Sequence, residues 1–272
     1  MAVDMAALVA DLAAESAELT AILGPLAPGD WDRPTPADGW AIRDQVSHLA
    51  YFDETATMAA TDPDRFRAEA AQLKERAAVF ADVVAADHRG MAPAALLDWL
   101  TTARGRYLRT FADLDPATRL PWYGPPLSAA SSVTARLMET WAHGQDIADA
   151  LGVTRPATAR LRHIAHLGVA TRDFGFMVHG QPVPTAPVRV ELTAPDASTW
   201  AWGPPEASDL VQGDALDFCL LVTQRRHRRD TGLRTSGPVA AAWLAVAQAF
   251  AGPPGPGRPP LEGRPLGGDA GA

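Results

Sequence analysis

The chain has 272 residues, 47% hydrophobic and 21% charged, which is enough to bury a core and excludes fibrous and wholly disordered classes. Its net charge of −8 excludes the broad basic surface that a phosphate backbone or an anionic lipid headgroup requires, so no nucleic-acid or membrane partner is expected. Asp4, Asp11 and Glu15 stand where a secretory leader carries basic residues, and the most apolar stretch, 239–251, is interrupted by Gln248 and too short to span a bilayer, so a cytoplasmic protein is expected.

Met5, Leu8, Leu12, Leu19, Ile22, Leu23 and Leu26 recur at helical spacing and stop at Pro28-Gly29-Asp30, predicting a first helix. Asp38 is a candidate cap for a second, with Ile42, Val46, Leu49 and Ala56 on one face and an end near Asp62-Pro63. A third is predicted over 64–86 on Phe66, Leu73, Ala77, Phe80 and Val84, and a fourth opens with Pro93 and runs to Leu114. After a Pro-rich loop over 120–127, a fifth helix spans 128–151 and ends at Gly152. Long antiparallel helices with short connections predict a helical bundle over residues 1–155.

A further helical stretch follows Pro156 and reaches about Val178, after which the period changes. Val188 to Leu192 alternates, and Thr199-Trp200-Ala201-Trp202 is strand-like, so a small sheet is predicted, followed by helices near 214–226 and 239–250. The expected fold class is thus α+β, with a smaller α+β domain over 156–252. Residues 253–272 hold six prolines and six glycines and read as a disordered tail. Cys219 is the only cysteine and lies in the apolar run 216–222, which suits a small buried hydrophobe.

Glu139 and His143 lie four apart, so on a helix their side chains leave one face and can converge on one ion, with Asp146 continuing that face. A third ligand from another helix would complete a three-ligand site with a position open for water or substrate. The same spacing also suits a solvated ion pair, because the apolar arc of this helix is carried by Val133, Leu137, Trp141, Ile147 and Leu151. His48 sits to one side of Ile42, Val46 and Leu49, as a ligand would or as a hydrogen-bonded core histidine would. Asp44, one turn earlier, is placed to orient its ring. His163 and His166 form the rival pair but lack an evident third ligand. There is no Gly-rich phosphate loop, nucleophile elbow or Cys-x-x-Cys pair, which removes nucleotide-dependent, serine-hydrolase and thioredoxin-like classes.

Pro34-Thr35-Pro36-Ala37-Asp38-Gly39-Trp40, Asp44 and His48-Leu49, followed far downstream by Glu139, His143, Gly144 and Asp146, resemble the two motifs of the mycothiol-dependent maleylpyruvate isomerases. These are members of the DinB-like metal-binding superfamily, and the resemblance runs closest to an actinobacterial branch of uncharacterised metal-binding proteins. It implies an up-down four-helix bundle with one extra helix, in which His48, Glu139 and His143 bind one divalent ion, usually Zn2+. Trp200-Ala201-Trp202-Gly203, Asp209 and the segment 213–226 resemble the family's carboxy-terminal domain. There the resemblance implies a catalytic arginine near the end of the helix, and Arg225 is the matching position. Arg226, Arg228 and Arg229 adjoin it, and the row equally suits a solvated basic patch.

The expected function is therefore that of a metal-dependent isomerase or S-transferase in which the ion activates a low-molecular-weight thiol, mycothiol, toward a small electrophilic substrate. A hydrolase using metal-bound water and a non-catalytic metal-binding module are the alternatives.

Overall fold

The computed structural model describes residues 3–73, 80–252, 254–255 and 257–261, and the chain divides between Arg155 and Pro156 into two units. In the first, helices α1 (Met5–Leu23), α2 (Ile42–Thr61), α3 (Pro63–Leu73), α4 (Phe80–His88), α5 (Pro93–Ala112) and α6 (Ala129–Leu151) follow in order. Of these, α1, α5, α2 and α6 close a ring in which each packs on two others, and α3 and α4 lie against α2. The stretch 74–79, within the predicted third helix, lies outside the described residues.

Local chemistry sets the helix ends. Asp4 accepts from the Ala7 N–H at 3.0 Å, Pro93 occupies the first turn of α5, and Ser128 accepts from the Ser131 N–H at 3.0 Å. Gly152 ends α6 with φ 69°, where a Cβ would be strained. The predicted cap Asp38 is displaced: α2 starts at Ile42, and Asp44 in its first turn reaches back to the Ala41 N–H at 2.8 Å. The 120–127 loop is flanked by a short antiparallel pair, β1 (Arg119–Leu120) with β2 (Leu127–Ser128).

Leu19, Leu23, Trp31, Ile42, Val46, Leu49, Leu96, Leu100 and Ile147 form one buried cluster at the meeting of the four helices, each aliphatic side chain worth about 1.5–3 kcal/mol over exposure. Deeper along the bundle the interior is charged. Asp53, fully buried on α2, accepts from Arg104 of α5 at 2.6 and 3.1 Å and from Arg136 of α6 at 3.0 Å, while Arg104 also reaches Thr140 at 2.9 Å. Buried charge of this kind persists only when paired. A second buried pair joins Arg155 to Glu15 of α1. Gly144 makes room for it, since a Cβ there would stand 3.2 Å from the Arg155 guanidinium.

The second unit carries α7 (Leu161–Ala170) and α8 (Arg172–Val178), then β3 (Val188–Thr193), β4 (Thr199–Trp202), β5 (Asp209–Asp214), α9 (Ala215–Val222), β6 (Arg234–Ser236) and α10 (Pro238–Val246). The strand order is β4-β3-β5-β6, with β3 and β5 parallel and the outer pairs antiparallel. Asp209 at the start of β5 is buried and accepts from the Val239 and Ala240 N–H groups at 2.6 and 2.9 Å, capping α10. Gly237, at φ 85°, lies so close that a Cβ would sit 2.4 Å from that carboxylate.

Three predicted helices of the second unit are shorter than their periodicity suggests. The stretch 239–250 ends at Val246, where Ala247 turns to extended backbone. The stretch to Val178 breaks at Thr171, whose hydroxyl turns back to Leu167 O at 2.9 Å. The stretch to Arg226 ends at Val222, because Gln224 adopts φ 58° and the Arg225 and Arg226 N–H groups fold back on Leu220 O. Of the tail, residues 253, 256 and 262–272 lie outside the described residues; 254–255 and 257–261 form no helix or strand, and the Leu261 N–H donates to Asp230 at 2.9 Å. Among the described residues no helix is long and apolar enough to cross a membrane. The architecture is α+β, with a helical bundle followed by a smaller sheet-containing unit.

Candidate metal centre

His48 faces inward from the middle of α2, while Glu139 and His143 project one turn apart from α6, the helix packed beside it. The Nε2 atoms of both imidazoles converge on Glu139 Oε2, at 3.4 Å from His48 and 3.0 Å from His143. The three donor atoms lie within 4.8 Å of one another, and among the described residues no other group of three histidine, cysteine or acidic side chains meets this condition. The solvated-pair alternative does not hold, because the His143 side chain is only 10% exposed and Glu139 23%.

The electrostatics of the trio suit a cation. Burial, aided by the neighbouring His143 ring, pushes His48 down to about 4 from its ordinary 6.5, so it is a neutral imidazole near pH 7. For Glu139, burial favours the neutral acid, but hydrogen-bonding contacts with His143 and then His48 outweigh it and hold the carboxyl well below the usual range. Donor atoms around a tetrahedral ion with bonds of about 2.0–2.1 Å stand about 3.3 Å apart, and the observed 3.0 and 3.4 Å bracket that spacing. Two imidazole nitrogens and one carboxylate oxygen form a borderline donor set that fits zinc and its neighbours.

Aromatic rings enclose the trio. Trp40 lies 5.4 Å from the His48 ring and 6.0 Å from His143, and Phe52, one turn beyond His48, lies 4.6 Å from it. Phe52 leads into a cluster with Phe80, Trp122 and Tyr123. Beside Trp40 a cavity of about 450 Å3 opens, lined in part by Thr35, Asp38, Arg43, Asp44 and Arg89.

Asp44, expected to orient His48, instead accepts from the Ala41 N–H and the Arg89 guanidinium, so its carboxylate is committed to the start of the helix. Asp146 is fully buried on the same helix as Glu139 and lies outside the trio. The residue that sequence reasoning missed is Gln45, whose Oε1 meets His143 Nδ1. Its position three residues before His48, on the same face of α2, was the available signal.

In the second unit, His166 accepts from the Trp202 indole at 3.3 Å, and neither it nor His163 joins a cluster of three. Arg225 lies in the turn after α9 rather than on the helix, with Nη1 on Thr223 O at 2.6 Å. The four neighbouring arginines therefore share no helix face, since Arg228 and Arg229 begin a short 3-10 turn. Cys219 is fully buried, and burial pushes its thiol far above the ordinary range, which suits packing and not nucleophilic attack.

Two uncharacterised proteins of Mycobacterium tuberculosis, from strains CDC 1551 and H37Rv, are each 50% identical over 251 residues, 92% of this chain and 97% of theirs. Crystal structures of the mycothiol-dependent maleylpyruvate isomerase and of a histidine-to-alanine mutant of it align with TM-scores of 0.57 and 0.61. Each covers 86% of this chain and 93% of its own at 13% identity, a likeness of fold. A short match over residues 184–231 is to a family described as wyosine base formation. The longest match, over residues 12–148, takes in α2 and α6 with all three convergent side chains, and by it the chain belongs to the family described as the mycothiol maleylpyruvate isomerase N-terminal domain.

Proposed function

We propose that the protein is a metal-dependent enzyme that activates a low-molecular-weight thiol, mycothiol, toward a small electrophilic substrate, in the manner of an isomerase or S-transferase. The observation that carries this reading is the convergence of His48 Nε2, His143 Nε2 and Glu139 Oε2 in a chain of this family. Three protein donors leave coordination positions open, the arrangement of a catalytic site and not of a closed structural one.

A divalent ion there, Zn2+ on the donor chemistry, would stabilise the conjugate base of a thiol near neutral pH. The side chains do the remaining work. Neutral His48 and ionised Glu139 present lone pairs without first losing protons near pH 7, and the Trp40 and Phe52 rings packed against His48 would limit the access of water. The polar body of the thiol finds donors and acceptors in the adjoining cavity, where Asp38, Arg43 and Arg89 line the wall. Arg225 is assigned to the carboxylate or carbonyl groups of thiol or substrate, the contact for which a guanidinium is suited.

Metal analysis of the purified protein, followed by mycothiol titration of its cobalt-substituted form, tests the proposal. A change in the cobalt absorption as sulfur enters the coordination sphere is expected. A spectrum indifferent to saturating mycothiol, together with ester hydrolysis that needs no thiol, would overturn it.

A further inference from the structure

A metal-binding histidine must present a bare nitrogen, and which nitrogen is bare depends on the hydrogen bond made by the other. For His143 the structure supplies a chain of hydrogen-bonding partners that bears on the choice. The Thr35 hydroxyl donates to the Trp40 carbonyl at 2.8 Å, so its single proton is spent and its oxygen is left to accept. Gln45 Nε2 lies 2.8 Å from that oxygen and donates to it, which turns Gln45 Oε1 toward His143 Nδ1. An amide oxygen can only accept, so Nδ1 carries the ring proton. Nε2 then presents its lone pair toward Glu139 Oε2, 3.0 Å away, where a cation between the two acceptors would hold them together.

We infer that Gln45 and Thr35 are positioning residues that hold His143 as the Nδ1–H tautomer, keeping Nε2 bare for the ion; this rests on the metal-site reading above. The relay starts in the loop before α2, where the Thr35 N–H also donates to the Trp40 carbonyl at 2.8 Å and Pro34 pairs with Ala41. That small backbone hairpin fixes the Thr35 hydroxyl, the hydroxyl fixes the Gln45 amide, and the amide fixes the imidazole. The competing arrangement rotates the Gln45 amide, gives the proton to Nε2 and turns the Thr35 hydroxyl away from Trp40. It exchanges the Thr35–Trp40 bond for one from Nε2–H to Glu139 and so blocks the nitrogen that an ion would need.

The first measurement is made on metal-free wild-type protein by two-bond 1H–15N NMR of the histidine rings at pH about 8.5, well above an ordinary imidazole pKa of about 6.5. A protonated Nδ1 and unprotonated Nε2 at His143 are expected; the opposite tautomer overturns the inference whether or not the protein binds metal. The second is zinc affinity by competition with a chromophoric chelator. Gln45→Leu is expected to weaken zinc binding about 10–100-fold, the usual effect of losing the partner of a ligating histidine. Thr35→Val should weaken it in the same direction, while Gln45→Glu and Thr35→Ser, which keep an acceptor for Nδ1–H and for the amide, restore tight binding. Thr35 touches neither His143 nor Glu139 in this scheme, so a loss rescued by serine is not explained by bulk at the site. Affinities within twofold of wild type in both Gln45→Leu and Thr35→Val overturn the relay. A wild-type protein that shows the expected tautomer but binds no zinc refutes the metal-site reading and leaves the tautomer assignment standing.

Discussion

Replacing Asp53 with asparagine removes one negative charge and little volume from the middle of the bundle, where Asp53 is the shared partner of Arg104 and Arg136. All three side chains are buried, the two guanidinium groups by about 95%, so neither arginine can recover its lost partner from bulk water. The amide can still accept at one oxygen, but three charge-assisted contacts of 2.6, 3.1 and 3.0 Å become at most weaker neutral ones. Breaking a buried pair in this way costs about 3–5 kcal/mol, a large part of the roughly 5–15 kcal/mol that holds a domain folded. The melting temperature of the metal-free protein, followed by circular dichroism, should fall by roughly 10 °C. Replacing the triad together, as Asp53→Leu with Arg104→Met and Arg136→Met, should recover most of the loss, because uncompensated charge and not missing contact is the cause. An Asp53→Asn protein that melts within about 2 °C of wild type, equivalent to less than about 1 kcal/mol, would refute the reasoning.

His48→Ala, Glu139→Ala or His143→Ala should each remove most of the metal found by elemental analysis, since two remaining donors hold a divalent ion poorly, whereas His163→Ala and His166→Ala should leave it in place; the reverse pattern would move the site to the second unit. The metal-free protein should lose stability as pH falls from 6.5 toward 4, because unfolded His48 takes up a proton in that window and folded His48, pushed down to about 4, does not. That term is worth about 3 kcal/mol, and the depressed Glu139 acts in the same direction below the ordinary carboxylate range; denaturant melts at several pH values check it, and a His48→Gln protein should show a shallower dependence. Arg225→Ala should lower thiol-dependent turnover while metal content stays unchanged, as expected for a residue that contacts thiol or substrate and not the ion; metal loss on this substitution would refute that role.

The helices of the bundle and their ends were legible because the forces that set them are local. Apolar spacing marks α1, α2, α5 and α6, and Pro93, Ser128 and Gly152 stand where their own backbone preferences place them. Strand β4 was legible for the same reason, in the run Thr199 to Trp202. The end of α9 was not: the apolar pattern runs past Val222, and the turn depends on Gln224 accepting a left-handed backbone that its type does not announce. Asp38 was read as the cap of α2 and Asp44 as the partner of His48; the path of the preceding loop instead sets Asp44 against the Ala41 N–H at the start of the helix.

For the site, sequence by itself determined that Glu139 and His143 share one helix face, because 3.6 residues per turn leaves no other arrangement for an i,i+4 pair. It could not decide whether that face meets water or His48, since this depends on how α6 is rotated and offset against α2. Tertiary structure decided it through packing at one end and the Asp53–Arg104–Arg136 network in the interior, which together bring His48 Nε2 to 3.4 Å from Glu139 Oε2. The partnership of Gln45 with His143 spans 98 positions in the chain. Convergence of that kind is a property of helix placement, and no periodicity within either helix encodes it.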